Sequence, residues 1–332
     1  MNYIGSKRKL SDFITGNIAS VTGGFAGKHF AELFGGTYVI SRAVKPLVAE
    51  LTVNDIEPYS YILAQNYIGN SAPLAYEASL AQLNALSLVE GFIYQHYCMG
   101  SGSGRQYFSN ANGQRIDAVR QQIEQWRQTA FIDEAMYYFL LASLLESADK
   151  VANTASVYGA FLKHLKRSAQ QELVVKPAHF ESSAAAVHIF NEDANSLIRR
   201  IEGDILYLDP PYNARQYGAN YHLLNTITLY DRFEPKGKTG LRHYPKSAYC
   251  RKPLVAEAFE ELIAAAQFRY IFVSYNNEGL LPAAQLRSLM SRYGRYDLFT
   301  QTYERFKADR DSNRQHKASQ TLEYLHILEK TG

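Results

Sequence analysis

Asp209-Pro210-Pro211-Tyr212 follows the apolar run Ile205-Leu206-Tyr207-Leu208. A short apolar run reads as a buried strand, and two prolines end it abruptly. Asp209 therefore stands at the carboxyl end of a strand, where open α/β sheets place their ligand sites. The prolines stiffen the turn and remove two backbone donors, while their carbonyls remain as acceptors. A carboxylate, a fixed carbonyl and an aromatic face suit a planar ring bearing an exocyclic NH2. The carboxylate and one carbonyl accept its two N–H groups, and Tyr212 stacks on the ring. A rigid turn with a capping Asp and a packing Tyr would leave the same tetrapeptide, so the corner alone does not decide.

A second candidate site lies near the start of the chain. Glu32-Leu33-Phe34-Gly35-Gly36 closes a strand with two glycines, which allow a ligand to approach the backbone. Asp55 ends the next strand, roughly 20 residues on, the spacing at which an acid binds ribose hydroxyls in doubly wound folds. There is no Gly-x-Gly-x-x-Gly, which favours a nucleoside without a pyrophosphate over a dinucleotide. The plainer reading is a tight turn at Gly35-Gly36 and a helix cap at Asp55.

These residues need elements to hold them. Strands are expected within 28–40, over 47–54, at Val187-His188-Ile189-Phe190, from Asp204 to Leu208, over Tyr270–Tyr275 and from Thr321 to Leu328. A short helix is expected from Ala194 to Ile201. Between the second and third strands the α/β rhythm pauses. Residues 76–100 have helical spacing, Asn112-Gly113 signals a turn, and long helices are expected from Asp117 to Gln128 and from Asp133 to about Val151, with Asp at each N-cap. The expected architecture is an α/β domain made of 1–75 and 181–332, interrupted by a mostly helical insertion, 76–180, of domain size.

Composition narrows the class. The chain has 332 residues, 46% hydrophobic and 20% charged, which suits a folded globular protein with a real core. Its formal charge of +3 does not establish a polyanionic partner, so clustering must carry that argument. Cys98 and Cys250 lie far apart with no Cys-x-x-Cys spacing; they fit a reduced cytoplasmic protein and give no metal site. No apolar run is long enough to span a bilayer, and Met1 to Lys7 lacks the apolar core of a signal peptide.

Taken in order, Tyr3 to Leu10, Glu32 to Gly36, Asn54-Asp55, Asn191 to Asn195, Asp209-Pro210-Pro211-Tyr212, Asn220-Tyr221-His222 and Ser274 to Asn277 resemble the Dam-like (D12 class) adenine-N6 DNA methyltransferases over most of the chain. Tyr3 stands where that family often has Trp, and Phe34-Gly35-Gly36-Thr37 where it often has Phe-x-Gly-x-Gly. The resemblance implies a Rossmann-like methyltransferase fold, an inserted DNA-recognition domain and S-adenosylmethionine as methyl donor. It implies that Tyr3 and Lys7 touch the cofactor, that Glu32, Phe34, Gly35 and Gly36 cradle its amino-acid part, and that Asp55 binds its ribose. Asp193 and Ala194 would lie near its adenine, although Asp193 equally suits the N-cap of the helix that follows. Asp209 would serve both the cofactor and the target base.

The implied chemistry follows from the corner. The N6 lone pair of adenine is delocalised into the ring. Hydrogen bonds from N6 to the Asp209 carboxylate and the Pro210 carbonyl favour a more tetrahedral nitrogen and stabilise the positive charge that develops as it attacks a methyl group. Inside a duplex the base must first flip out and stack on Tyr212. Double-stranded DNA is the expected substrate. Arg232, Lys236, Lys238, Arg242, Lys246, Arg251 and Lys252, interleaved with Tyr244 and Tyr249, are candidate DNA contacts, with Arg105 and Arg115 in the insertion. Arg305, Lys307, Arg310, Arg314 and Lys317 form a further cluster. Ordinary solvated loops look similar. A restriction–modification role with a cognate endonuclease is the expected setting. Two other readings remain open: amino-group methylation of RNA or protein, and a catalytically silent DNA-binding relative.

Overall fold

The computed structural model describes residues 6–304 and 320–331. Tyr3 and the basic cluster from Arg305 to Lys317 lie outside the described residues. A helix, α1 (Ser11–Thr22), leads into β1 (His29–Glu32), α2 (Val39–Val44) and β2 (Glu50–Asn54). The chain then turns helical, through α3 (Pro58–Ala64), α4 (Glu77–Asn84), α5 (Phe92–Tyr97), α6 (Asn110–Gln128) and α7 (Glu134–Val151). It returns to strand at β3 (Ala186–Phe190), followed by α8 (Ala194–Leu197) and β4 (Glu202–Leu208). After α9 (Tyr217–Asn220) and α10 (His222–Leu229) come α11 (Val255–Ala265), β5 (Gln267–Asn276), α12 (Ala283–Met290), β6 (Gly294–Glu304) and β7 (Gln320–Lys330).

The chain divides into two compact units. The sheet unit comprises Ser6–Ile56, Ser183–Gln216 and the described residues from Lys246 onward. Among the described residues its sheet has seven strands in the order β3-β2-β1-β4-β5-β7-β6. β1 to β5 pair in parallel, while β7 runs antiparallel between β5 and β6. This is the Rossmann-like α/β class expected from the sequence. Parallel strands covered on both faces must be apolar throughout, and Ile205 to Leu208 are all buried. One face of the sheet carries the core of Ala31, Leu206, Leu208, Phe259, Leu262, Ile271 and Val273. The strand order reverses between β1 and β4, the switch point at which such sheets bind ligands. In register, Glu32 pairs with both Val53 and Tyr207. The carboxyl ends of β1, β2 and β4 therefore share one edge.

The helical unit holds Glu57–Ser182 and Tyr217–Pro245 among the described residues. It begins at Glu57, earlier than the expected 76, and takes in 217–245, which the sequence reading gave to the catalytic part. A buried polar clasp accounts for this. Asn225 on α10 accepts a hydrogen bond from Tyr59 N at 3.0 Å and donates one to Glu57 at 2.6 Å. Arg120 on α6 reaches the carbonyls of Ile227 and Thr228 at 3.0 Å each, closing the end of α10.

Two local expectations are corrected within this unit, and a third is refined. The helical spacing of residues 76–100 resolves into two short helices, α4 and α5. Asn112-Gly113 is not a turn but the first full turn of α6, capped by Ser109, which accepts from Asn112 N. Gly113 sits there because a Cβ would meet Cys98 Sγ at 2.2 Å. Asp117 is interior to α6 and caps a neighbouring helix instead, accepting from Ile93 N and Tyr94 N at the start of α5. The Asp133 cap of α7 forms as expected, accepting from Met136 N at 2.8 Å.

Candidate active site

The geometry of the corner and of the glycine turn lies within the sheet unit. Asp209 follows β4 directly, and Pro210 beside it is buried. The Tyr212 carbonyl accepts from Leu280 N at 2.9 Å, which ties the corner to the loop after β5. The Tyr212 ring is partly buried against the sheet core. Pro211 is half-buried.

Lys7 opens a short 3-10 turn, Lys7–Lys9, and its side chain is buried. Its ammonium lies 3.1 Å from Asp209 Oδ1 and 2.8 Å from Glu323 Oε1. Burial alone would lower the Lys7 ammonium, but Asp209 and Glu323 outweigh it and raise its pKa well above the ordinary lysine value. For Asp209, burial is the largest influence and raises the carboxyl; Lys7 opposes it, Glu323 adds to it, and the result is about 6. Beside them, the buried Tyr207 hydroxyl donates to Ser274 Oγ at 2.8 Å.

At the end of β1, Glu32 is also buried. Its Oε2 accepts from Ser41 N at 3.1 Å and from the Ser41 hydroxyl, so Glu32 caps α2. Burial pushes its carboxyl up to about 8; the Ser41 bonds oppose this, and the nearby Asp209 and Asp55 add to it. The glycine turn follows. Gly35 N donates to Asn54 O at 3.0 Å, and Gly36 N donates to Asp55 Oδ2 at 2.7 Å. The Gly36 φ of 55° lies in the left-handed region. A Cβ on Gly35 would meet the buried Tyr38 ring at 1.9 Å. Phe34 meets Tyr249 edge-on at 4.9 Å, and the Tyr249 hydroxyl donates to Asn195 at 2.7 Å.

Asn54 staples the neighbouring loops. Its amide donates to Leu33 O and Glu192 O at 3.1 Å each and accepts from Glu192 N at 3.0 Å. Asn191 in turn donates to Asp55 O at 2.7 Å. Asp193 caps α8, accepting from Ser196 N at 3.0 Å, and Ala194 is buried behind it. The structure thus gathers Lys7, Glu32, Gly35, Gly36, Asp55 and Asp209 at the carboxyl edge of the sheet. Glu323, Ser41, Tyr38 and Tyr207 join them without having been singled out in the sequence. Glu323 had no local signal, because only the register of β7, which pairs it with Asn276 of β5, brings it there.

Asp209 and Asp55 each act electrostatically on Glu32, while Lys7 is the cation acting on Asp209. Burial raises both the Glu32 and Asp209 carboxyls, and a cationic ligand would favour their charged forms. At Gly35 the missing side chain makes room for the buried Tyr38 ring, and Gly36 in the left-handed region completes the turn. The donor set therefore fits a sulfonium nucleoside carrying an ammonium group. Among the described residues no cluster of His, Cys, Asp and Glu could hold a metal ion.

The basic residues divide into two groups. In the helical unit, Arg105 donates to His96 O, Pro235 O and Gly237 O at 3.1, 3.3 and 3.0 Å. Arg242 grips Asp231 through two bonds of 2.9 Å and lies over the Phe233 ring. Arg115 donates to Leu86 O. These three arginines hold protein. Arg232, Lys236 and Lys238 are exposed in the same unit, and Lys246, Arg251 and Lys252 are exposed in the sheet unit.

Residues 3–289 match the profile of the D12 class N6 adenine-specific DNA methyltransferases. The chain is 59% identical to the Type II methyltransferase M.NlaIII of Neisseria lactamica, with 100% of each chain covered. It is 39% identical to the Type II methyltransferase M.CviAII of Paramecium bursaria Chlorella virus 1, covering 93% of each. It is 37% identical to the Type II methyltransferase M.FokI of Planomicrobium okeanokoites, covering 99% of this chain and 53% of that protein.

Proposed function

This chain belongs to the D12 class N6 adenine-specific DNA methyltransferases, and from that premise we propose how its own residues perform the reaction. The reaction is transfer of a methyl group from S-adenosylmethionine to N6 of adenine in DNA. Asp209 and the Pro210 carbonyl accept the two N6 hydrogens and Tyr212 stacks on the extruded base. The single observation that supports this reading is the Asp209 carboxylate, fixed at a rigid Pro-Pro corner by the Lys7 ammonium at 3.1 Å.

S-adenosylmethionine, when bound, supplies an electrophilic methyl group. Asp55 holds ribose hydroxyls while ordering the glycine turn through Gly36 N. Glu32, Phe34, Gly35 and Gly36 line the amino-acid end, and Asp193 and Ala194 flank the adenine end. Lys7 orients Asp209. Asp209 is the stronger acceptor for N6 when ionised, and its negative charge then steadies the nitrogen as that nitrogen becomes positive. No covalent bond to the protein is needed, since N6 attacks the methyl directly and sheds a proton afterwards. Tyr3, outside the described residues, keeps its expected cofactor contact as part of this proposal.

The DNA contacts proposed are the exposed Arg232, Lys236, Lys238, Lys246, Arg251 and Lys252. Residues 57–182 and 217–245 are the proposed recognition domain. The relatives named Type II methyltransferases support a restriction–modification setting, with a cognate endonuclease and a cytoplasmic location as further parts of the proposal. Among the described residues no helix is long and apolar enough to cross a membrane.

The test is transfer of tritiated methyl groups to unmethylated genomic DNA, followed by mapping of the modified adenines. Modified adenine at one short sequence is expected, abolished by Asp209→Ala. Near-normal transfer by Asp209→Ala would refute the assigned acceptor. Tyr212→Phe should keep most activity, whereas Tyr212→Ala should lose base capture worth about 1–3 kcal/mol. Equal losses for the two would remove the stacking role.

A further inference from the structure

Two carboxylates share one ammonium at the corner. Lys7 Nζ is 2.8 Å from Glu323 and 3.1 Å from Asp209, and the Lys7 and Glu323 side chains are 8% and 6% exposed. A lysine given wholly to Asp209 would neutralise it, and a neutralised carboxylate is a poor partner for a nitrogen becoming positive. We propose that Glu323 is a positioning residue for methyl transfer, drawing half of the Lys7 ammonium away so that the corner keeps a net negative charge. The inference rests on Asp209 as the N6 acceptor and adds the residue that sets its charge balance.

The placement of Glu323 is a product of topology. β7 runs antiparallel beside β5 and sets Glu323 opposite Asn276, where the parallel strand β5 ends. An acid at the start of β7 therefore reaches the edge at which β1, β2 and β4 deliver Glu32, Asp55 and Asp209. Around Asp209 stand Lys7, Glu32 from β1, Tyr207 from β4, Tyr212 from the corner and Glu323 from β7, with Asp55 acting on Glu32 and Glu278 on Tyr212. Lys7 is the cation in this set, and Glu323 is the carboxylate that shares it with Asp209. In this proposal Glu323 acts through Lys7, which it contacts at 2.8 Å.

The discriminating variant is Glu323→Gln, whose amide oxygen still accepts from Lys7 but carries no charge. The like charge beside Asp209 disappears, so Asp209 ionises more readily. Its 13C-carboxyl titration, assigned by loss of the signal in Asp209→Asn, should move to lower pH in the cofactor-free protein. The acid limb of the single-turnover rate should move with it. The plateau rate should fall roughly tenfold to a hundredfold as the corner is neutralised, with little change in KM for DNA.

An unmoved titration together with an unchanged plateau overturns the proposal. Glu323→Asp, which retains the charge at reduced reach, should stay near the wild-type rate. If it is as slow as Glu323→Ala, Glu323 is a simple anchor for Lys7 and the proposal fails; this comparison also decides the matter should Glu323→Gln not fold. Asp209→Ala is run alongside. If it retains transfer, the acceptor assignment fails and this inference with it. If it is inactive while Glu323→Gln behaves as wild type, only this inference fails.

Discussion

The Asp55 carboxylate accepts a 2.7 Å hydrogen bond from the backbone N–H of Gly36, so the acid after β2 shapes the turn after β1. One side chain thus orders the glycine turn and, in the proposed site, also holds the ribose. Removing it disturbs both.

Asp55→Asn separates the two roles, because its amide oxygen still accepts from Gly36 while the charge is gone. S-adenosylmethionine should then bind roughly tenfold to a hundredfold more weakly, the worth of a charged hydrogen bond. The melting temperature should change little, whereas Asp55→Ala should lower it as well. Isothermal calorimetry and thermal denaturation read the two effects separately. Unchanged affinity in a folded Asp55→Asn would remove Asp55 from the cofactor site.

Gly35→Ala brings a methyl group to within 1.9 Å of the Tyr38 ring. Tyr38 is buried and already at a φ of 56°, so it has little freedom to retreat. A loss of about 1–3 kcal/mol in folding stability is expected, as for other overpacked sites. Urea unfolding measures it. A variant as stable as the wild type would mean that the turn opens without cost.

Burial, opposed by Lys7 and aided by Glu323, leaves Asp209 with a pKa of about 6. The ionised form accepts from N6, so activity is present above that value and lost as pH falls through it. The single-turnover rate should therefore show an acid limb near there, carried by one proton. An acid limb in the ordinary carboxylate range would mean that DNA or cofactor binding reverses the effect of burial.

Arg105 and Lys238 make opposite predictions although both were candidate DNA contacts. Arg105 holds the carbonyls of Pro235 and Gly237 beneath the turn where Lys236 bridges to Leu241, so Arg105→Ala should lower stability. Lys238 is exposed, and Lys238→Ala should leave stability alone while lowering the salt dependence of DNA binding by about one unit of slope. Binding titrations at several salt concentrations test both. An unaltered slope for Lys238→Ala would take that lysine off the DNA.

Much of the site was legible where the signal is local. A Pro-Pro after an apolar run fixes a strand end, and a glycine pair after another fixes a turn, whatever surrounds them. What stayed hidden depends on long-range register. Glu323 reads as one polar residue in a strand pattern until β7 is known to lie antiparallel beside β5. The edge strand β6 was missed altogether, and Asn112-Gly113 was misread because tertiary contacts override turn propensity. The Asn112 amide donates to Gln171 O at 2.9 Å and accepts from Leu173 N at 2.8 Å, anchoring a distant segment from within a helix. Arg105 and Arg242 read as solvated cations because no local pattern reveals which carbonyls or acids an arginine will meet.

The antiparallel placement of β7 also sets a schedule. Lys7 leaves the ribosome among the first residues of the described chain, and Glu323 only after every other strand of the sheet has been made. Until β7 docks between β5 and β6, Glu323 is not in place to share Lys7 with Asp209. On the proposed role of Glu323, the charge balance of the corner is completed by β7, the last strand in chain order among the described residues.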